Sequence, residues 1–297
     1  MEPIITLAVC AYNEEANIGA LLAALLSDSI AGDSELLVVA SGCTDRTEDI
    51  VRAVQARDSR VRLLSEDKRR GKVAAVNLVL AEAIGELVFL IDGDCLPAPG
   101  ALHELLSLFD DPGVGGAGTR NFPVNPNDNW VTRAGAAMWQ MHHVACLSSP
   151  VLGGDIVGLR NPGLEIESTG AINDDFLLEQ ALFKRGFRIA YAANARTLMR
   201  VPTTPADFVR QRRRIHFGFM REQGLGRRAK GTQRPAAVFR AAISLLKERP
   251  KSAPDLALLV ILDTLARGLA YKDLVVGKND HSAWQTARTT KLPIHQE

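Results

Sequence analysis

What the 297-residue chain lacks narrows its class first. Its net charge is only +1, with 35 Lys and Arg against 34 Asp and Glu, so no global basic excess points to nucleic acid. Four cysteines stand far apart, at Cys10, Cys43, Cys95 and Cys146, with no C-x-x-C pair and no metal-ligand spacing. That pattern excludes a disulfide scaffold and reads as a reducing, cytoplasmic compartment. The longest apolar runs, 20–26 and 256–262, fall far short of the roughly 20 residues that span a bilayer. The opening MEPIITLAVCAYNEE has no basic segment ahead of its apolar stretch, unlike a secretory leader. Internal repeats and low-complexity linkers are missing as well. The remainder is ordinary globular material, 46% apolar and 23% charged, enough for one sizeable core.

Short apolar runs at 4–10, 35–39, 61–64 and 86–91 read as buried strands, and helical patterns at 14–26, 44–56, 72–83 and 99–109 separate them. Such alternation predicts a mostly parallel sheet with helices on both faces. Ligands on these sheets bind beyond the carboxyl ends of the strands. A Gly-, Pro- and Asn-rich stretch follows, then helices at 129–147 and 174–185, the latter stopping at Gly186. Within it, Gly116-Ala117-Gly118-Thr119-Arg120 reads as a turn after a core strand. Residues 184–230 carry 13 Lys and Arg against 2 acids. The last 65 residues hold two candidate helices, 236–247 and 253–273. The second is an amphipathic pattern suited to packing on the domain or to lying at a membrane interface.

Asp92 and Asp94 close an apolar strand as Leu-Ile-Asp-Gly-Asp-Cys. Alternate strand residues point the same way, so the two carboxylates converge beyond the sheet. Gly93 between them lets a ligand approach the backbone. Paired carboxylates of this kind suit Mg²⁺ or Mn²⁺ carrying a diphosphate. A bare D-x-D also occurs as two solvated acids in a loop, so its neighbours decide.

Those neighbours come in series: Ala11-Tyr12-Asn13-Glu14-Glu15 after the first strand, Ser41-Gly42-Cys43-Thr44-Asp45, Gly71-Lys72-Val73-Ala74-Ala75-Val76-Asn77, then Asp92-Gly93-Asp94. Downstream lie Asn173-Asp174-Asp175 at a helix start, with Gly186 twelve residues beyond Asp174, and Gln211-Arg212-Arg213-Arg214-Ile215. Together, over about residues 4–225, they resemble glycosyltransferase family 2, of the non-processive inverting type. That resemblance implies the Rossmann-like GT-A fold for residues 1–230, with a donor half to about 120, an acceptor half beyond it, and a helical extension over 231–297.

The family's roles transfer residue by residue. Ala11, Tyr12, Asn13 and Glu14 line the nucleoside, with Ser41, Arg70 and Lys72 near the base or phosphates. Asp92 and Gly93 meet the ribose, and Asp94 holds Mn²⁺ or Mg²⁺. Asp175 is the general base and Asp174 the acid beside it; the competing view is that Asn173 and Asp174 only cap the helix. Gln211 and Arg214, three apart on one helical face, meet diphosphate or acceptor. His216 is a candidate third metal ligand, and Gly153-Gly154-Asp155 a piece of the sugar or acceptor pocket. Two departures stand out. Ile215 replaces the tryptophan of the family's Q-x-x-R-W motif, which argues against a processive synthase. Ala40-Ser41 replaces an acidic pair that reads uracil, so a UDP-sugar is the first expectation and a GDP-sugar the alternative. The acceptor is a small molecule or glycan. A polyprenyl-phosphate sugar transferase and a nucleotide-sugar-binding protein without turnover are the competing functions, and the basic segment leaves room for peripheral membrane contact.

Overall fold

A computed structural model of the chain describes residues 5–277 and 288–294, apart from 33, 127–128, 162, 167–171 and 225–234. Arg227, Arg228 and Lys230 of the basic segment therefore lie outside the described residues. Of the first four long strands, three are buried along nearly their whole length, as strands covered on both sides must be, while the one at the sheet edge carries Arg62, Ser65 and Glu66. The four are β1 (Ile5–Ala11), β2 (Glu35–Ser41), β3 (Val61–Glu66) and β4 (Leu87–Asp92), parallel in the order β3-β2-β1-β4. Between them run α1 (Ile18–Ser27), α2 (Thr47–Gln55) and α3 (Lys72–Glu82). Ile5, Leu7 and Val9 of β1 face one core with Leu21, Leu22 and Leu25 of α1, while Ala8 faces a second with Val76 and Val79 of α3. The two-residue period of a strand thus feeds two cores.

Beyond β4 the sheet turns mixed. Short β5 (Cys95–Pro97) and α4 (Ala101–Ser107) lead to β6 (Val114–Pro123), α5 (Trp130–Ser148), β7 (Ile156–Arg160), α6 (Asp174–Lys184) and β8 (Arg188–Met199). β7 runs antiparallel to β4 and to β6, β8 lies parallel to β6, and β5 closes the edge antiparallel to β8. The Gly116–Arg120 stretch, expected as a turn, lies inside β6. Its glycines answer to packing, not to a bend. A Cβ on Gly118 would stand 2.6 Å from the Gly153 carbonyl oxygen, and one on Gly116 2.7 Å from Leu182.

Three further helices, α7 (Pro205–Gly224), α8 (Pro235–Glu248) and α9 (Ala253–Val276), complete the described structure apart from short 3₁₀ turns. Leu245, Leu256, Leu259 and Leu262 of α8 and α9 share a core with Val131 and Ala134 of α5 and with Phe208 of α7. The inner stripe of α9 thus packs on the domain, while Val260, Ile261, Leu265 and Val275 remain exposed. No described helix is long and apolar enough to cross a membrane.

Candidate active site

One cavity of about 760 Å³ opens beyond the carboxyl ends of β1, β2 and β4, where an open α/β sheet binds ligands. Ala11, Tyr12, Glu14, Ser41, Lys72, Asp92, Gly93, Asp94, Asp174, Asp175, Gln211 and Arg214, twelve positions singled out from sequence, line it. Asn13, Arg70 and His216 are not among the lining residues. Asn13 sits at φ 53° and ties its side chain to Thr44, accepting from the Thr44 amide at 2.8 Å. Arg70 turns back to pair with Glu66. The neighbouring Arg69 lies over the Tyr12 ring instead, 3.7 Å from its centroid. Gly42, at φ 64°, permits that crossing: a Cβ there would stand 2.4 Å from the Arg69 nitrogen. Gly93 likewise leaves no spare room, since a Cβ would meet Glu14 Cγ at 2.7 Å.

His216 is a correction to the expected metal set. It is buried, and its Nε2 lies 2.9 Å from Asp263 Oδ1 on α9. Burial pushes the imidazole pKa down against the pull of Asp263. Burial alone would raise the Asp263 carboxyl, but His216 and Arg212 hold it well below the usual carboxylate range. The pair is a tie between α7 and α9, with Arg212 on the same carboxylate at 2.7 Å.

The acids at the bottom of the cavity share one lysine. Lys72 Nζ lies 2.7 Å from Asp92 Oδ1 and 3.3 Å from Asp174 Oδ2. Burial disfavours its charge, yet Asp174 and Asp92 hold its pKa well above the ordinary value. Burial also raises Asp92 and Asp174, with Lys72 opposing the rise. Asp155, reached through the Asp92 amide donating to its carbonyl at 2.8 Å, is pushed to about 8 by burial and then by Asp92 and Asp94. Negative charge is therefore in excess here, and a cation relieves it. Among the described residues no three metal-ligating side chains stand close enough to hold an ion unaided. Magnesium-type sites commonly use one or two carboxylates plus substrate phosphates, and these all-oxygen donors fit that pattern. Cys10 and Cys95, beside the acids, are driven upward by burial, Cys10 to about 12, which leaves them packing residues without thiolate character.

The N-cap residue of α6 does not spend its side chain on capping. Asn173 makes no side-chain cap bond; its Nδ2 donates to the Ile215 carbonyl on α7 at 3.3 Å. Asp174 turns to Lys72, and Asp175 accepts from the Phe176 amide at 2.7 Å while lining the cavity. From α7, Arg210, Gln211, Arg213 and Arg214 reach the same space. Burial lowers Arg214 to about 10 against the attraction of Asp174 and Asp92.

Sequence reasoning missed the chain's own tail. Lys291 lines the cavity, donates to the Tyr12 carbonyl at 2.6 Å and to the Asn13 carbonyl at 3.2 Å, and pairs with Glu14. Around it, the Asn17 side chain bonds the Lys291 carbonyl at 3.3 Å and the Ile294 amide at 3.2 Å, and Ile294 is buried in the core. Glu14 is pushed up to about 8, first by burial and then by Asp94, with Lys291 opposing. No local pattern around Lys291 marks it, because its partners are some 277 residues away.

Compared with known proteins, residues 3–218 match the family model described as glycosyltransferase-like family 2. The chain belongs to that family. An N-acetylglucosaminyltransferase of Bradyrhizobium elkanii is 30% identical over 135 residues, covering 44% of this chain and 73% of the relative. One from Rhizobium meliloti is 25% identical over 232 residues, covering 71% of this chain and 54% of the relative. This family member thus spans about half the length of the second relative. Among solved structures, a mannosyltransferase from Pyrobaculum calidifontis, in complex with GDP-Man and Mn²⁺, superposes with a TM-score of 0.66 at 19% identity. That match covers 94% of this chain and 89% of the other. At that identity the likeness speaks for the GT-A fold.

Proposed function

We propose that this family member transfers a sugar from a nucleoside-diphosphate sugar to an acceptor hydroxyl, with inversion and with the help of Mn²⁺ or Mg²⁺. The observation that carries the reading is the meeting of Asp92, Asp94 and Asp175 across one cavity. Residues 1–230 form the catalytic unit in this reading, and 231–297 an extension. Tyr12, Glu14 and Ser41 hold the nucleoside, Asp92 the ribose, and Asp94 a divalent ion. The bound ion supplies charge stabilisation for the departing diphosphate. Lys72 adds fixed positive charge on that side, and Arg214 adds it from the acceptor side. Asp175 takes the acceptor proton as the acceptor oxygen bonds to the anomeric carbon. The bond from that carbon to the phosphate oxygen breaks, and its electron pair leaves with the nucleoside diphosphate. The name of the Bradyrhizobium relative makes UDP-N-acetylglucosamine the first donor to assay, with GDP-sugars next because Ser41 stands where an acid would read uracil.

The test is Asp175→Asn, which preserves shape and removes the proton acceptor. Turnover should fall about 10²–10⁴-fold with donor affinity kept, and NMR should show a product anomer inverted from the donor. A retained anomer would remove Asp175 as the base of a single displacement. A protein that binds nucleotide sugar and releases no nucleoside diphosphate would be a binding protein without turnover.

One observation favours a second reading of the acceptor side. The outer stripe of α9 is apolar and is accompanied by exposed Arg267 and Lys272, with exposed Arg240 on α8. A helix apolar on both faces suits an interface between protein and lipid, so a membrane-borne acceptor, polyprenyl phosphate included, is the alternative. Flotation with anionic liposomes at physiological salt separates the cases: absence of co-flotation removes the membrane reading.

A further inference from the structure

With Ile215 in the tryptophan position of the Q-x-x-R-W pattern, the acceptor end loses the aromatic wall expected there. The cavity has another tryptophan. Trp139, on α5, lines it, is half-buried against the core, and meets His142 edge to face at 5.2 Å between ring centroids. Opposite runs the loop before β7. Gly153 in that loop has no side chain, and a methyl at its Cα would stand 3.6 Å from Asp175 Oδ2 and 3.8 Å from His142 Nε2. Neither Gly153 nor His142 is among the residues lining the cavity, but beside Gly153 a carboxylate from one element and an imidazole from another come within contact distance, one helical turn from an indole.

Resting on the glycosyl-transfer reading, we propose that Trp139 and His142 form the acceptor subsite and that the acceptor is a pyranose ring. A pyranose presents apolar C–H faces and an equator of hydroxyls, so it needs a flat apolar wall with polar groups to the side. Trp139 is that wall. His142 holds a ring hydroxyl by hydrogen bond, and its neighbour on the ring turns to Asp175. Of the cavity's other aromatics, Tyr12 lies under Arg69, and Phe219 stands edge-on to Phe176 at 6.0 Å, much as Trp139 stands to His142. A phosphate acceptor fits this corner poorly, because the group it would meet across Gly153 is the Asp175 carboxylate. His142 acts here as a positioning residue.

The experiment uses the full chain with Mn²⁺ and its donor. Probes are the methyl glycosides of glucose, mannose, galactose and N-acetylglucosamine, with farnesyl phosphate as the phosphate arm. At least one glycoside should accept sugar. Trp139→Ala should raise its KM about tenfold, and Trp139→Phe should recover most of the loss. Calorimetric affinity for UDP or GDP with Mn²⁺ should stay within about twofold of wild type, less than the 1.4 kcal/mol that makes a tenfold change. Gly153→Ala adds a methyl at ordinary contact distance, at a residue without positive φ. It should lower kcat/KM for the glycoside. Unaltered glycoside KM in both Trp139→Ala and Gly153→Ala overturns the subsite, as does transfer to farnesyl phosphate and to no glycoside. Failure of the wild type to bind either nucleotide would instead bring down the glycosyl-transfer reading beneath it.

Discussion

The two sides of the cavity are built by different means. On the side proposed for the donor, β1, β2 and β4 deliver Tyr12, Glu14, Ser41 and Asp92 from strand ends, and each of these strands is hydrogen-bonded along both edges. On the acceptor side the groups come from helices: Asp175 from the start of α6, Trp139 from α5, Arg214 from α7. The attitude of α7 in turn depends on α9, through Arg213 with buried Asp273 and through His216 and Arg212 with Asp263. A strand end aims its side chain by backbone geometry alone, whereas a helix can roll unless something far along the chain stops it. The donor side should therefore tolerate damage that the acceptor side does not.

The strongest way to break that contrast is to attack the donor side at its proposed metal ligand. Asp94→Ala should abolish transfer and the Mn²⁺-dependent part of nucleotide binding while thermal unfolding stays cooperative. Calorimetry showing metal-dependent binding intact would refute the assignment of Asp94.

Asp273→Ala tests the other side. Asp273 is buried while the Arg213 side chain is 31% exposed, so the melting temperature should drop, by less than breaking a fully buried pair would cost. In protein that remains folded, turnover should fall while Mn²⁺-nucleotide affinity holds. Equal loss of both would mean that α9 supports the whole site and that the contrast is false.

Lys291→Met should act in the opposite sense. It strips a charge-assisted bond from Glu14 and the loop at Tyr12 and Asn13, so nucleotide affinity should weaken about tenfold, with acceptor KM kept. An unchanged nucleotide affinity by calorimetry would make the tail a structural strap only.

The smallest effect is in pH. A carboxyl with a pKa near 8 in the fold, such as Asp155, and about 3.9 in the open chain binds its proton more tightly when folded. Between those values the folded protein holds the extra proton, so stability falls as pH rises across the window and is level below it. Metal-free melts over that range should show the decline. Asp155→Asn should make it shallower, with Glu14, Asp92 and Asp174 accounting for what is left. An identical slope in the variant would mean that Asp155 titrates normally.

Much of this was legible along the chain because the donor half is local. A buried parallel strand is a run of apolar residues that ends where the site begins, so position drew attention to Asp92, Asp94 and Glu14, and the series of neighbouring motifs decided their reading. The same logic failed wherever orientation depended on distant packing. Arg69 and Arg70 are neighbours on one loop, and only the path permitted by Gly42 turns the first over Tyr12 and the second back to Glu66. The glycines of β6 looked like a turn because the backbone they accommodate, at Gly153, comes some 35 residues later. His216 looked like a ligand until Asp263 on α9 claimed it.

By itself, then, the sequence determined the strand–helix alternation, the carboxylate pair at the end of β4 and the acidic start of α6, because each is encoded in a dozen or fewer consecutive residues. The tertiary structure alone decided which side of each helix faces the cavity, that Trp139 and Asp175 line the same cavity, and that Lys291 returns to Glu14. Those contacts join residues from about 30 to nearly 280 positions apart, and no local propensity carries information over that span.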